Sequence, residues 1–131
     1  MQFTKTFITF AAAIGSALAS SGEATYYYAE VAQGACGYTS YTLPAGITGV
    51  ALGSADFAGG SSCGKCISVD GPNGKVMAMA VDLCGSCGSG DLDLFSQGFS
   101  QIGNQAEGVI PVSWSFVDCG TSDLPTGGNY D

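Results

Sequence analysis

Two closely spaced cysteine pairs raise the first question of chemistry. Cys63-Gly-Lys-Cys66 and Cys84-Gly-Ser-Cys87 are C-x2-C units with seventeen residues between them. Thiolates at that spacing can hold zinc tetrahedrally. A single C-x2-C can instead act as a redox dithiol, provided a helix begins at its first cysteine and stabilises the thiolate. The Ser-Gly-Asp stretch after Cys87 does not read as such a helix. The remaining reading is structural disulfides. Cys36 and Cys119 bring the count to six, an even number. The N-terminus reads as an export leader, which sends the chain to a compartment where thiols pair. That leader has a short basic start ending at Lys5, an apolar run from Thr6 to Ile14, and a small-x-small site at Ala17-Leu18-Ala19. Cleavage after Ala19 gives a 1–19 signal peptide. The apolar run is too short to span a bilayer. The expectation is therefore a secreted, extracellular, disulfide-stapled protein with no metal and no cofactor.

Charge narrows the chemistry further. The 131 residues include no histidine and no arginine, so Ser-His-Asp and Cys-His mechanisms are excluded. Beyond residue 19 only Lys65 and Lys75 oppose eleven acidic residues, a net charge of −9. Such a surface suits neither nucleic acid nor anionic membranes. The length beyond the leader fits one modest core. With 21 glycines and little helical periodicity, the composition suits a loop-rich β-domain.

Any site must be positioned by strands and helices, and the residue pattern marks several. Ala24–Tyr28 is a first strand and Ile47–Leu52 a second. Gly59–Ser62 is a loop. Cys66–Asp70 and Lys75–Leu83 form a hairpin about the turn Gly71-Pro72-Asn73-Gly74. Leu92, Phe95, Phe99 and Ile102 fall at helical spacing, which predicts a helix over 91–102 closed by Gly103. Val109–Asp118 is a closing strand, with Val112, Trp114 and Phe116 on its apolar face. The residues after Cys119 read as a polar, Gly-rich, frayed tail.

Five segments, in order, carry a family resemblance. They are Gly22-Glu-Ala24-Thr25-Tyr26, Gly34-Ala-Cys36-Gly-Tyr38, and Ser62-Cys63-Gly-Lys-Cys66. Then come Val81-Asp82-Leu-Cys84 with Asp93-Leu94 and Phe99, and the closing Gly108-to-Cys119 stretch containing Trp114. Over about 22–120 the chain resembles the first domain of expansins, and most of all the single-domain fungal expansin-like proteins called loosenins, within the wider barwin-like and rare lipoprotein A-like superfamily. The resemblance implies a mainly β fold: a six-stranded double-psi β-barrel with one or two short helices, over residues 20–120, followed by a flexible tail over 121–131. It implies the pairings Cys36–Cys63 and Cys66–Cys119, which leave Cys84 to pair with Cys87.

The resemblance also implies a site. Asp93 stands where expansins keep their essential aspartate, and Asp82, eleven residues earlier, matches the other acidic position. Thr25 completes the polar set. Two neighbouring carboxylates resist being charged together, so one holds its proton to higher pH. Asp91 or Asp93 also reads as a cap for the expected helix. Tyrosine rings stack on the C–H faces of sugars, and Tyr26, Tyr27, Tyr28, Tyr38 and Tyr41 are the candidates. Tyr27 points away from Tyr26 and Tyr28 by strand alternation. Phe95 replaces the serine of the family's Asp-Leu-Ser motif, and Cys84 replaces a site tyrosine of bacterial expansins. No clear second catalytic carboxylate appears. Ala29 sits where related inverting hydrolases keep a base, and Glu30 is one residue out of register. The function implied is a monomeric protein that binds cellulose or chitin and loosens cell-wall polysaccharide without hydrolysis. The alternatives are a protein-binding module, such as a protease inhibitor or effector, and a weak glucanase or lytic transglycosylase using Asp93.

Overall fold

A computed structural model describes residues 19–29, 34–39 and 43–129. Residues 1–18 of the expected leader, Glu30 and Tyr41 lie outside the described residues. Six strands form the body: β1 (Ser20–Tyr27), β2 (Ile47–Gly53), β3 (Cys66–Gly71), β4 (Gly74–Cys84), β5 (Leu92–Phe95) and β6 (Ile110–Val117). They close into a barrel in the order β1-β5-β2-β4-β3-β6. The pairs β1–β5 and β2–β4 are parallel. Parallel neighbours cannot be joined by a hairpin. The chain therefore crosses the barrel ends in long connections, and those connections carry Cys36, Cys63 and Cys87.

Alternation fills the interior. Val50, Leu52, Ile67, Val69, Leu92 and Leu94 are fully buried and belong to one apolar core. β3 and β4 pair from Cys66↔Met79 to Gly71↔Gly74, the hairpin read from its turn residues. On the closing strand Ile110, Val112 and Trp114 are buried, but Phe116 is 46% exposed. Phe116 lies where the barrel ends, with the Lys65 ammonium 5.7 Å from its ring centre. It keeps the expected face, its ring 5.4 Å from that of Trp114 between centres, but at the open end of the barrel rather than in its core.

The segment 91–102 is corrected more deeply. Leu92–Phe95 is strand β5, paired with β1 on one side and β2 on the other. Only Ser96–Ile102 is helical, here α2. The apolar spacing looks helical because a four-residue strand runs directly into a seven-residue helix. Between two barrel neighbours, cross-strand pairing and burial override so short a periodicity. The residue preceding the helix is Phe95, and no side chain caps it. Neither Asp91 nor Asp93 is a helix cap. Asp91 instead accepts N–H bonds from Glu23 at 2.9 Å and Gly88 at 3.1 Å, closing the loop before β5. The expected loop at 59–62 is corrected at its start: α1 (Ser54–Phe57), which buries Phe57, runs into a 3-10 turn over Ala58–Gly60.

Three disulfides staple the barrel: Cys36–Cys63, Cys66–Cys119 and Cys84–Cys87. These are the pairings implied by the resemblance, and no cysteine is left free to bind zinc. The segment after Cys119 is not a free tail as far as Asn129. Pro125 is buried. Thr39 N–H donates to the Thr126 carbonyl at 3.0 Å, and Asn129 N–H donates to the Cys36 carbonyl at 2.8 Å.

Candidate functional site

Strand register builds the site. Thr25 of β1 pairs with Asp93 of β5, Asp93 pairs with Ala51 of β2, and Ala51 pairs with Asp82 of β4. Thr25, Asp93, Ala51 and Asp82 therefore form one row across four adjacent strands. Two strand spacings separate the aspartate backbones, roughly 10 Å. Facing carboxylates can span much of such a gap while leaving space for a sugar hydroxyl or a water.

Asp82 reaches this row through an irregularity. Val50 pairs with Ala80, but the next residue, Ala51, pairs with Asp82, so Val81 is an extra residue in β4. A bulge reverses the face of every later residue in its strand. Without it, Val81 would stand in the row and Asp82 would turn to the opposite face. As built, Val81 is fully buried and Asp82 is half-exposed.

Each carboxylate has its own partners. Asp93 Oδ1 accepts the Thr25 hydroxyl at 3.0 Å. Burial pushes the Asp93 carboxyl above its ordinary range, the Thr25 hydroxyl partly offsets this, and the charge of Asp82 adds to the rise. Asp82 Oδ1 accepts two N–H bonds at 2.8 Å, from Ala35 and Leu83. Its Oδ2 accepts the Tyr27 hydroxyl at 3.4 Å. Burial raises the Tyr27 phenol far above its usual value, and the charges of Asp82 and Asp93 raise it further. Tyr27 thus stays a hydrogen-bond donor at any physiological pH. Its ring is held edge-on against Phe95, with centres 5.4 Å apart.

A shallow pocket of about 160 Å³ opens beside Asp93, lined by Thr25, Asp93, Ser86, Val109 and the Cys84–Cys87 bridge. The bridge lies in the loop between the two aspartates and forms one wall.

The tyrosines separate sharply. Tyr27 is at the carboxylates. Tyr26 turns to the other side, packs on Phe99 at 4.8 Å between ring centres, and donates its hydroxyl to the Gln105 carbonyl at 3.2 Å. Tyr28 is 80% exposed and meets Tyr26 edge-on. Tyr38, expected at the sugar surface, is 4% exposed and belongs to the core. That expectation is corrected: Tyr38 lies under the Gly128 backbone and no sugar face can reach its ring. Ala51, the Val81 bulge and the Ala35 amide are site elements that sequence reasoning misses. Only the register across non-adjacent strands reveals them, and local sequence carries no such signal. Among the described residues no three of His, Cys, Asp and Glu gather as a metal would need.

The closed six-stranded barrel, its two parallel pairs and its three bridges define an expansin-like double-psi β-barrel. Comparison with known proteins agrees. Over 111 residues the chain is 31% identical to expansin-like protein 5 of Dictyostelium discoideum, covering 78% of this chain and 47% of that protein. It superposes on the crystal structure of apo Clavibacter michiganensis expansin with a TM-score of 0.70 at 31% identity, covering 79% of this chain and 52% of that one. An Asp-to-Asn mutant of that expansin, in complex with cellohexaose, matches with the same TM-score at 30% identity. A Streptomyces papain inhibitor shares the fold, with a TM-score of 0.60 at 24% identity. The chain spans about half or less of the length of the curated relatives it matches. No family model matches the sequence.

Proposed function

We propose that this barrel binds a cell-wall glycan, cellulose or chitin, across the Thr25–Asp93–Asp82 row and loosens it without cleaving it. The observation that carries the proposal is the unequal state of the two carboxylates. Asp93 is partly buried, raised in proton affinity and engaged by one hydroxyl. It is suited to hold a proton in a mildly acidic wall and donate it to a glycan hydroxyl or ring oxygen. Asp82 is occupied as an acceptor by two N–H groups and a phenol. Inverting hydrolysis needs a second carboxylate free to activate water. Asp82 is poorly placed for that work, which favours competition for hydrogen bonds between glycan chains over bond cleavage. Tyr27 offers its ring beside the same row. The cellohexaose bound by the similar Clavibacter protein supports a β-glucan as ligand. The leader at 1–19 fits this reading by sending the chain outside the cell. No helix among the described residues is long and apolar enough to cross a membrane.

The test incubates the protein with insoluble cellulose, chitin and xylan, and measures depletion from solution, released reducing sugar and weakening of a wet cellulose sheet. The expected result is depletion on cellulose or chitin and sheet weakening, both without sugar release, with weakening reduced in Asp93→Asn. Sugar release that disappears in Asp93→Asn would make the protein a hydrolase or lytic enzyme instead. Absence of depletion on every polymer overturns the proposal.

A further inference from the structure

The bulge that aims Asp82 needs a partner, because its extra residue has left the register of β2. The loop 34–36 supplies it. Cys36 N–H donates to the Val81 carbonyl at 3.1 Å, and Ala35 N–H donates to Asp82 Oδ1 at 2.8 Å. Gly34, at φ +140°, lies so close that a Cβ there would be 2.6 Å from Asp82 Cγ. This loop has two outward anchors. One is the Cys36–Cys63 bridge. The other is the C-terminal segment. Asn129 N–H bonds the Cys36 carbonyl, so the Cys36 residue bonds Val81 on one side and the C-terminal segment on the other. Both the amide and the hydroxyl of Thr39 donate to Thr126 O, at 3.0 and 3.3 Å. Gly127, at φ +77°, lies directly against the Thr39 side chain, and Gly128 covers Tyr38 and the Cys36 carbonyl.

We propose that residues 125–129 form a strap that positions Asp82, acting through Cys36 and Ala35 rather than by touching the glycan. Docked, it holds the loop so that the Val81 carbonyl and the Asp82 carboxylate keep their donors. Undocked, the loop keeps the Cys36–Cys63 bridge and the buried Tyr38 ring as anchors but loses the bond to the Cys36 carbonyl, so the direction of the two amides is held less firmly. The strap is then a positioning element for the glycan groove. This rests on the reading of Asp82 as part of that groove, but its physical core is tested without any glycan.

The experiment compares full-length wild type with Gly127→Ala, which places a methyl group against Thr39 at a positive φ, and with Asn129→Pro, which deletes the amide that bonds Cys36. Amide exchange and the carboxyl carbon signal of Asp82 are monitored by NMR. In both variants the Ala35 and Cys36 amides should exchange roughly tenfold faster, the worth of one or two hydrogen bonds. The Asp82 carboxyl signal should move, while the Ile67 and Val69 amides of the hairpin stay protected. Free exchange at 126–129 with unchanged Ala35, Cys36 and Asp82 signals overturns the strap. Should Gly127→Ala fail to fold, Asn129→Pro decides alone. A cellulose depletion arm separates the two readings. Wild type that binds no glycan, with Ala35 still loosened in the variants, leaves the strap standing and sinks the glycan assignment.

Discussion

At the scale of single residues, the two carboxylates of the groove have unlike partners: Asp93 accepts one hydroxyl, and Asp82 accepts two N–H groups and a phenol. Asp93 binds its proton more tightly in the folded protein than in the unfolded chain. The stability from that difference is complete below the unfolded carboxylate range, about 4, and is lost as pH rises through the higher folded value. Asp93→Asn removes this dependence. The variant should therefore melt higher than wild type at pH 7, and the gap should close towards pH 3; calorimetry across that range checks it. A gap that grows on acidification would mean Asp93 is stabilised as a carboxylate instead. Tyr27→Phe keeps the edge-on contact with Phe95 but deletes the phenol that donates to Asp82. Because that bond is long, denaturant unfolding should register a loss of about 1 kcal/mol or less. Glycan depletion should fall more clearly than stability. Tyr28 is the control: it is 80% exposed, so Tyr28→Ala should change unfolding free energy by no more than about 0.5 kcal/mol.

At the scale of elements, the site exists because strands far apart in sequence share one register. Thr25, Asp82 and Asp93 are legible through motifs, and the row they form comes from β1–β5, β5–β2 and β2–β4 pairing. The bulge at Val81 is not legible: Val81-Asp82-Leu83 reads as an ordinary strand end, and an extra residue is defined only against its partner. The strand at 92–95 is hidden for a related reason. Leu92, Leu94 and Phe95 are all buried, so simple alternation breaks at its last residue and the helical spacing onward to Phe99 and Ile102 dominates. Tyr38 misleads because a tyrosine in a Gly-rich loop looks exposed, whereas Gly128 returns from the C-terminus to cover it. The turn before β5 offers a direct test. Trp114 Nε1 donates to the Gly90 carbonyl at 2.9 Å from inside the core. Trp114→Phe leaves that buried carbonyl without its donor and also removes ring volume. The expected cost is about 2–3 kcal/mol in denaturant unfolding, with the Asp91 and Leu92 amides gaining exchange ahead of the hairpin. Uniform loosening of the whole barrel would show that Trp114 acts through packing alone.

At the scale of the whole molecule, the three bridges divide their work by loop length and by place. Cys66–Cys119 spans 53 residues and ties the start of β3 to the end of β6. Restricting the unfolded chain over that length is worth about 4 kcal/mol, against about 3.5 for the 27 residues of Cys36–Cys63. Cys84–Cys87 spans only three residues, for which the same relation gives about 2 kcal/mol. A bridge that contributes least to stability yet walls the pocket beside Asp93 is expected to matter more to the groove than to the fold. Replacing Cys66 and Cys119 by serine should therefore cost the most in denaturant midpoint and fray β3 from β6. Replacing Cys84 and Cys87 by serine should leave a folded barrel, with near-wild-type hairpin protection and a loss of about 2 kcal/mol or less. The same variant should lose most of its glycan depletion, because the 84–91 loop no longer holds one wall at fixed distance from Asp93. If depletion instead scaled with stability across the three double variants, the small bridge would be a staple like the others. A loss confined to Cys84–Cys87 would separate the scaffold, closed by two long bridges, from a groove shaped by the short one.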